Sequence, residues 1–341
     1  MPRHRRARGF NLPELLISLS IGMLLVAGFL QILGRCRSEF AANESLARLQ
    51  DAARHVLSVL VPDLEHAGFY GFVTAPAPQL ERGGTVIAGP KDLIQSLDRS
   101  VPAAPGLPAG SHDCGVNFAV DLGVPVQGAN NSFPPGIDAR DCEPALIAGG
   151  ARAGSDALTV RRASLAITEP HAGRLQLYAR RLVSHGIVAL FGDGHAPGPV
   201  DEQNEIRDVE VHTYYIANNS VGRPGWPALR LKALTEAGGA AQFRDEEIQP
   251  GVEDLQVEFG VLHEDGTPGI SFVGPDERDA RELRVVAVRL WLRIRADATE
   301  RGYTDPRVLD YADVSFSPSA REAAQRRILI ERTVAVRNSL P

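Results

Sequence analysis

The stretch GFNLPELLISLSIGMLLVAGFLQIL occupies residues 9–33, and Glu14 stands inside its otherwise largely apolar run. As a helix rising about 1.5 Å per residue, residues 10–33 are long enough to cross roughly 30 Å of hydrocarbon. A carboxylate placed inside such a span costs roughly 2.5 to 3.5 kcal/mol on insertion scales. The fold and the function both turn on why Glu14 is there.

Residues 1–9 form a basic leader carrying Arg3, Arg5, Arg6 and Arg8. The positive-inside rule keeps this end in the cytoplasm and sends the body outward. A cleaved secretory signal would need a shorter apolar core and small residues at its end, and GRCRSEF after Leu33 has no A-x-A pattern. A lipoprotein signal would want small residues before its cysteine, whereas Arg35 precedes Cys36. A plain anchor explains the leader and the span but leaves Glu14 without a role. A fourth reading uses all three features. A cut before Phe10 would create a cationic amine, and a carboxylate on a neighbouring helix could neutralise it in a medium of low dielectric. The simpler alternative for Glu14 is a carboxylate at headgroup level, favoured by the helix dipole.

Gly9-Phe10-Asn11-Leu12-Pro13-Glu14-Leu15 resembles the type III signal of type IV pilins and type II secretion pseudopilins. The resemblance implies cleavage by a prepilin peptidase between Gly9 and Phe10, N-methylation of Phe10, and an assembly contact through Glu14. Pro13 departs from the aliphatic residue usual there. Proline is tolerated in a first helical turn, because the N–H it lacks would be unpaired anyway.

Beyond Leu33 the helical pattern continues. Leu46, Leu49, Ala53, Val56, Leu57 and Leu60 recur mostly at spacings of three and four. The expectation is one helix from about Pro13 to about Val61, with residues 34–67 an amphipathic continuation lying against a globular body. Its alternative is two helices broken near Gly34, and Gly22, Gly28 and Gly34 could also allow bends or close helix approach. Cys36 is expected to serve packing. Asp63-Leu64-Glu65-His66-Ala67-Gly68-Phe69-Tyr70-Gly71 ends the helix, and its A-G-aromatic-x-G segment resembles PilW-type minor pilins.

The globular part is expected over 68–341, with a loop-rich region at about 74–150 where Gly and Pro cluster. From residue 155 short β-rich runs follow: 156–163, 174–179, 187–191, 209–216, 227–234, 251–266 (a strand entering a hairpin turn) and 328–338. Residues 286–294 alternate, setting Val286, Val288, Leu290, Leu292 and Ile294 on one face. Arg289, Trp291, Arg293 and Arg295 share the other, which is expected to be half-exposed. A long helix followed by antiparallel strands is an α+β pattern. TYYIANNSVGRPGWPALRLKAL (213–234), GVEDLQVEFGV (251–261) and VAVRN (334–338) also resemble PilW-type blocks.

With 44% hydrophobic and 23% charged residues over 341 positions, the chain can bury a full core. Losing the four leader arginines would take the net charge from −6 to −10, and an acidic body argues against general nucleic-acid binding. No constellation carries chemistry convincingly. Ser111-His112-Asp113-Cys114 with Asp141-Cys142 reads more simply as loops beside a disulfide than as a metal or nucleophile site. His263-Glu264-Asp265-Gly266 lacks the spaced acidic loop of an EF-hand and reads as a hairpin turn. Phe191-Gly192-Asp193-Gly194-His195 lacks P-loop spacing. No cofactor, metal or small-molecule substrate is expected, and no catalysis.

What the resemblance implies is a minor pilin of the type IV pilus, working with other minor pilins of the PilV, PilX and FimU types, a PilY-type tip adhesin and the major pilin. It would sit in the inner membrane and then in the filament. The rivals are a type II secretion pseudopilin of the J type and a signal-anchored periplasmic enzyme. On export, Cys114 and Cys142 are placed for a disulfide in an oxidising compartment, the alternative being two unpaired thiols. Unfolded, unreduced protein should therefore take up a thiol reagent at Cys36 alone; labelling of both Cys114 and Cys142 would exclude the bridge.

Overall fold

The computed structural model describes residues 11–71, 79–82, 85–87, 122, 124–133, 148–180, 187–263, 269–300 and 302–339. Gly9, Phe10, His112, Cys114, Asp141 and Cys142 lie outside them. One helix, α1 (Leu12–Glu65), runs 54 residues without a break. The strands are β1 (Gln79–Arg82), β2 (Thr85–Ile87), β3 (Val126–Ala129), β4 (Ala157–Ala163), β5 (Ala172–Arg180), β6 (Ile187–Asp193), β7 (Asn204–Ala217) and β8 (Ala228–Ala237). They continue as β9 (Ala240–Pro250), β10 (Val252–His263), β11 (Gly269–Val273), β12 (Arg284–Arg295), β13 (Leu309–Tyr311), β14 (Val314–Phe316) and β15 (Arg327–Ala335). The fold class is α+β, as the sequence pattern predicts.

Among the described residues the larger sheet has nine strands, in the order β2-β1-β6-β5-β7-β4-β3, with β8 added to β7 and β9 to β8. It can branch because β7 is long. Residues 204–208 of β7 pair with β5, and 212–217 pair with β8. Only β1 and β6 run parallel in it. A second sheet, β11-β10-β12-β15, is antiparallel throughout, and β13 and β14 form a separate hairpin.

One core joins the helix to both sheets. Leu49, Ala53, Val56, Leu60 and Leu64 make the buried stripe of α1, at the helical spacing read from the sequence. They meet Val257 and Phe259 of β10, Val288, Leu290 and Leu292 of β12, Leu158 and Val160 of β4, and Tyr214 of β7. The helix passes Gly34 and Pro62 and ends at Glu65, four residues beyond the expected Val61. Proline lacks an N–H but does not stop this helix, because Asp63 and Leu64 beyond it are buried in the body.

Two expectations fail. Cys36 is exposed on α1 rather than packed, because the helix meets the body only further along. The inner part of the second face of β12 is not half-exposed: Trp291 retains 7% of its surface and Arg293 4%, while Arg289 and Arg295 to either side are half-buried. Neighbouring carboxylates and the β13–β14 hairpin cover that face. The Arg293 guanidinium lies 3.7 Å from the centre of the Phe316 ring and pairs with Glu253 at 3.2 Å. Arg327, fully buried, reaches Glu253 with Nε at 2.8 Å and Nη2 at 3.1 Å. Tyr311 donates to Asp254 at 2.5 Å.

Leu60 sits at the centre of the helix stripe, fully buried. Leu60→Ala should lower unfolding stability by about 2–5 kcal/mol, the transfer loss plus the cavity left behind. Denaturant titration of the full chain in detergent reads this out.

Candidate assembly interface and the clamp that positions it

From Leu12 to Leu33 the large apolar side chains of α1 are exposed, among them Leu15, Ile17, Met23, Leu25, Phe29 and Ile32. By length and composition this is the one described helix able to cross a membrane. Its polar residues are quiet. Ser18 donates to the Glu14 carbonyl at 2.8 Å, and Ser20 to that of Leu16 at 2.8 Å, so neither hydroxyl is left unpaired in an apolar medium. Glu14 lies in the first turn, where its Oε2 accepts the Asn11 N–H at 3.2 Å. This caps the helix and sets the carboxylate at the positive end of the dipole. The simpler account of Glu14 thus describes its local geometry, and the carboxylate remains exposed on the helix surface.

At the other end of α1 a polar clamp fixes the rod to the body. Asp63 is buried beneath Pro62 and accepts three hydrogen bonds. Arg162 Nε of β4 reaches Oδ1 at 2.7 Å, while His212 Nδ1 and Tyr214 Oη of β7 each reach Oδ2 at 2.9 Å. Arg162 also pairs with Glu210 at 2.5 Å. Burial pushes the Asp63 carboxyl up, but His212 and Arg162 outweigh it and the net direction is down. Tyr214 is driven well above its ordinary range by burial and by the Asp63 charge.

The chain then leaves the helix through Gly68, at φ +73°, a left-handed conformation open to glycine. Gly68 N–H donates to the Arg161 carbonyl at 3.0 Å, and Ala163 N–H to that of Phe69 at 2.7 Å. Gly71 has φ +78°, and a Cβ there would lie 1.8 Å from Glu205 Oε1. The A-G-aromatic-x-G segment is therefore a backbone requirement: two left-handed turns, the second pressed against the Glu205–Arg207 pair of β7.

Sequence reasoning missed this clamp because its members are scattered over 63, 162, 212 and 214 with no short motif. The other constellations stay apart. His195 lies in an exposed turn, its N–H donating to Asp193 Oδ1 at 2.9 Å. His263 pairs across the β10–β11 hairpin with Ser271 at 2.7 Å, and 264–266 lie outside the described residues.

Residues 213–338, from the second half of β7 to the end of the chain's last strand and the turn after it, match the PilW family, described as the type IV pilus-assembly protein W. Over that stretch, about a third of the chain, the body is similar to this family. The three sequence blocks that suggested it, 213–234, 251–261 and 334–338, all fall within the matched stretch. A type IV-like pilin from Thermus thermophilus is similar at 14% identity, covering 54% of this chain and 78% of that one, with a TM-score of 0.25. No curated protein matches. The match and the apolar helix fall on different parts of the chain.

The sign of the Asp63 shift fixes a pH effect. Its folded value lies below the ordinary 3.8, so its contribution is present above that pH and is lost as the pH falls through the folded value. Asp156, pushed up to about 7 by burial, acts oppositely: its contribution is full below 3.8 and fades as the pH rises through about 7. Asp63→Asn should cost about 3–5 kcal/mol at neutral pH, since Arg162 is left half-paired in a buried site. It should also flatten the acid limb of melting temperature against pH, while leaving the slope between about pH 4 and 7, where Asp156 titrates.

Proposed function

We propose that this protein is a minor pilin of the type IV pilus, made as a prepilin and incorporated at or near the filament tip. It is inserted in the inner membrane once, through the first half of α1, with residues 1–9 in the cytoplasm and the body in the periplasm. A prepilin peptidase cuts between Gly9 and Phe10, and Phe10 is methylated. The mature chain then primes assembly together with PilV-, PilX- and FimU-type minor pilins, a PilY-type adhesin and the major pilin. It thereby serves twitching motility, adhesion and DNA uptake, and it acts as a structural subunit rather than an enzyme.

The observation that carries this reading is the conjunction of a body similar to the PilW family with an exposed apolar helix bearing Glu14 in its first turn. A tether for an enzyme would need the apolar surface but not the carboxylate. Glu14 instead suits a helix whose neighbours are other helices with cationic amino termini, at a spacing where unlike charges in low dielectric attract strongly.

The mass of the mature amino terminus, measured with and without prepilin peptidase, tests the pathway. The expected product begins at Phe10 and carries one methyl group. A chain still beginning at Met1 in cells with active peptidase would reduce the segment to an ordinary anchor. Glu14→Ala protein should be trimmed but should leave the cells with few pili; normal pilus numbers would remove Glu14 from assembly.

A further inference from the structure

β15 is the outer strand of the four-stranded sheet, and no strand among the described residues pairs with its free side. The hydrogen-bond parity shows which groups that side presents. Val336 N–H donates to the Val286 carbonyl at 2.9 Å, and Ala296 N–H to the Arg326 carbonyl at 2.8 Å. The register between these bonds has no shift. Even-numbered residues of β15 therefore bond inward to β12, and the N–H and C=O of Leu329, Glu331, Thr333 and Ala335 point outward. At one end the Arg327 carbonyl, also outward, is taken by Arg307 Nη2 at 2.8 Å, which closes the edge there. What remains, among the described residues, is an open ladder over residues 329–335, about 20 Å long.

This edge lacks most of the usual protection. It contains no proline, glycine or bulge, and Ile330, Thr333 and Val334 favour extended pairing. Its charges are Glu331 and Arg332, exposed and adjacent, so they stand on opposite faces. That arrangement works against a second copy. Antiparallel pairing of 329–335 with itself in full register sets Arg332 directly opposite Arg332, at about 4.5 Å between Cα atoms. The same two charges favour a strand of complementary pattern. Ile330 and Val334 flank Arg332 on the face that joins the core, and Val334 is buried.

We propose that β15 receives an extended segment of a different protein, which adds a fifth strand to this sheet. The occupant carries apolar residues opposite Ile330 and Val334, an acidic residue opposite Arg332 and a basic one opposite Glu331. Main-chain bonds to the four outward residues give the affinity, and the crossed charges give the selection. The inference goes beyond the role of Glu14, which concerns helix contacts at the other end of the chain.

The test uses the full chain in its own cells, with a photo-cross-linker in place of Thr333 and the adduct mapped by peptide mass. The expected adduct lies on one extended segment of another protein with the stated alternation and charges. Glu331→Pro removes an outward amide and the exposed ion pair with Arg289 at 3.9 Å while leaving every backbone hydrogen bond to β12, so it should lower the adduct yield about tenfold with chain level unchanged. Arg332→Glu should lower it similarly and Arg332→Lys should not. An adduct to this chain's own residues 88–121, to a second copy, or to a helical surface would overturn the proposal. So would full yield from both Glu331→Pro and Arg332→Glu.

Discussion

The buried carboxylate of Asp63 is the constraint on which the rest depends. α1 is a single rod, half of it packed on the body and half outside, so any rotation at the packed end swings the free end. The stripe of Leu49, Ala53, Val56, Leu60 and Leu64 holds the rod to the core with apolar contacts that have little direction. Such contacts fix a face but resist sliding only weakly. Asp63 supplies the missing register: three donors from two strands converge on it, and a shift of one residue would leave a buried charge without partners. Gly68 and Gly71 complete the fixation, tying the chain just past the helix to β4 and β7.

What was legible in the sequence was whatever has a short period or a local motif. The apolar run, the helical stripe and the alternation of Val286 to Ile294 each repeat within a few residues, and each element stands where the pattern put it. β9 was not read, since AAQFRDEEIQP carries charges on successive positions; it forms because β8 pairs with it along its length. The arginine face of β12 was read as half-exposed for the same local reason. Alternating charge on a strand ordinarily means solvent, and nothing nearby in sequence announces that Glu253, Asp254 and a hairpin at 309–316 will close over Arg293. Long-range charge pairing leaves no periodic trace. The same holds for the Asp63 clamp, whose members lie in a helix end and two strands that the sequence pattern marks separately, with nothing to join them.

That buried network has a physical cost and a use. Arg293, Arg327, Glu253 and Asp254 are all shielded from water, and desolvating four charges is offset only by good geometry and further hydrogen bonds. Arg327 has both: a two-pronged contact to Glu253 and donation to the Glu322 and Gln325 carbonyls at 2.7 and 3.1 Å. These bonds bind residues 322–327 to β10, and so orient β15 as it leaves the loop. The edge of the small sheet is thereby held straight by the pairing beneath it, rather than by a further strand beside it.

Glu14 poses the converse problem, a charge with too few partners rather than too many. In the chain as translated, the nitrogen of Phe10 is an amide and carries no charge. Glu14 then has the helix dipole and the Asn11 N–H, enough for a carboxylate at headgroup level but not for one drawn deeper among apolar helices. On the proposed cut after Gly9 that nitrogen becomes a cationic amine, and every trimmed subunit brings one. Trimming thus removes four arginines that hold the end on the cytoplasmic side and creates the counter-charge that Glu14 lacks. One covalent step would then both release the rod from its leader and make its carboxylate tolerable in the interior of a helical bundle. On this account an untrimmed chain stays in the bilayer because its own electrostatics favour staying there, with no separate retention device required.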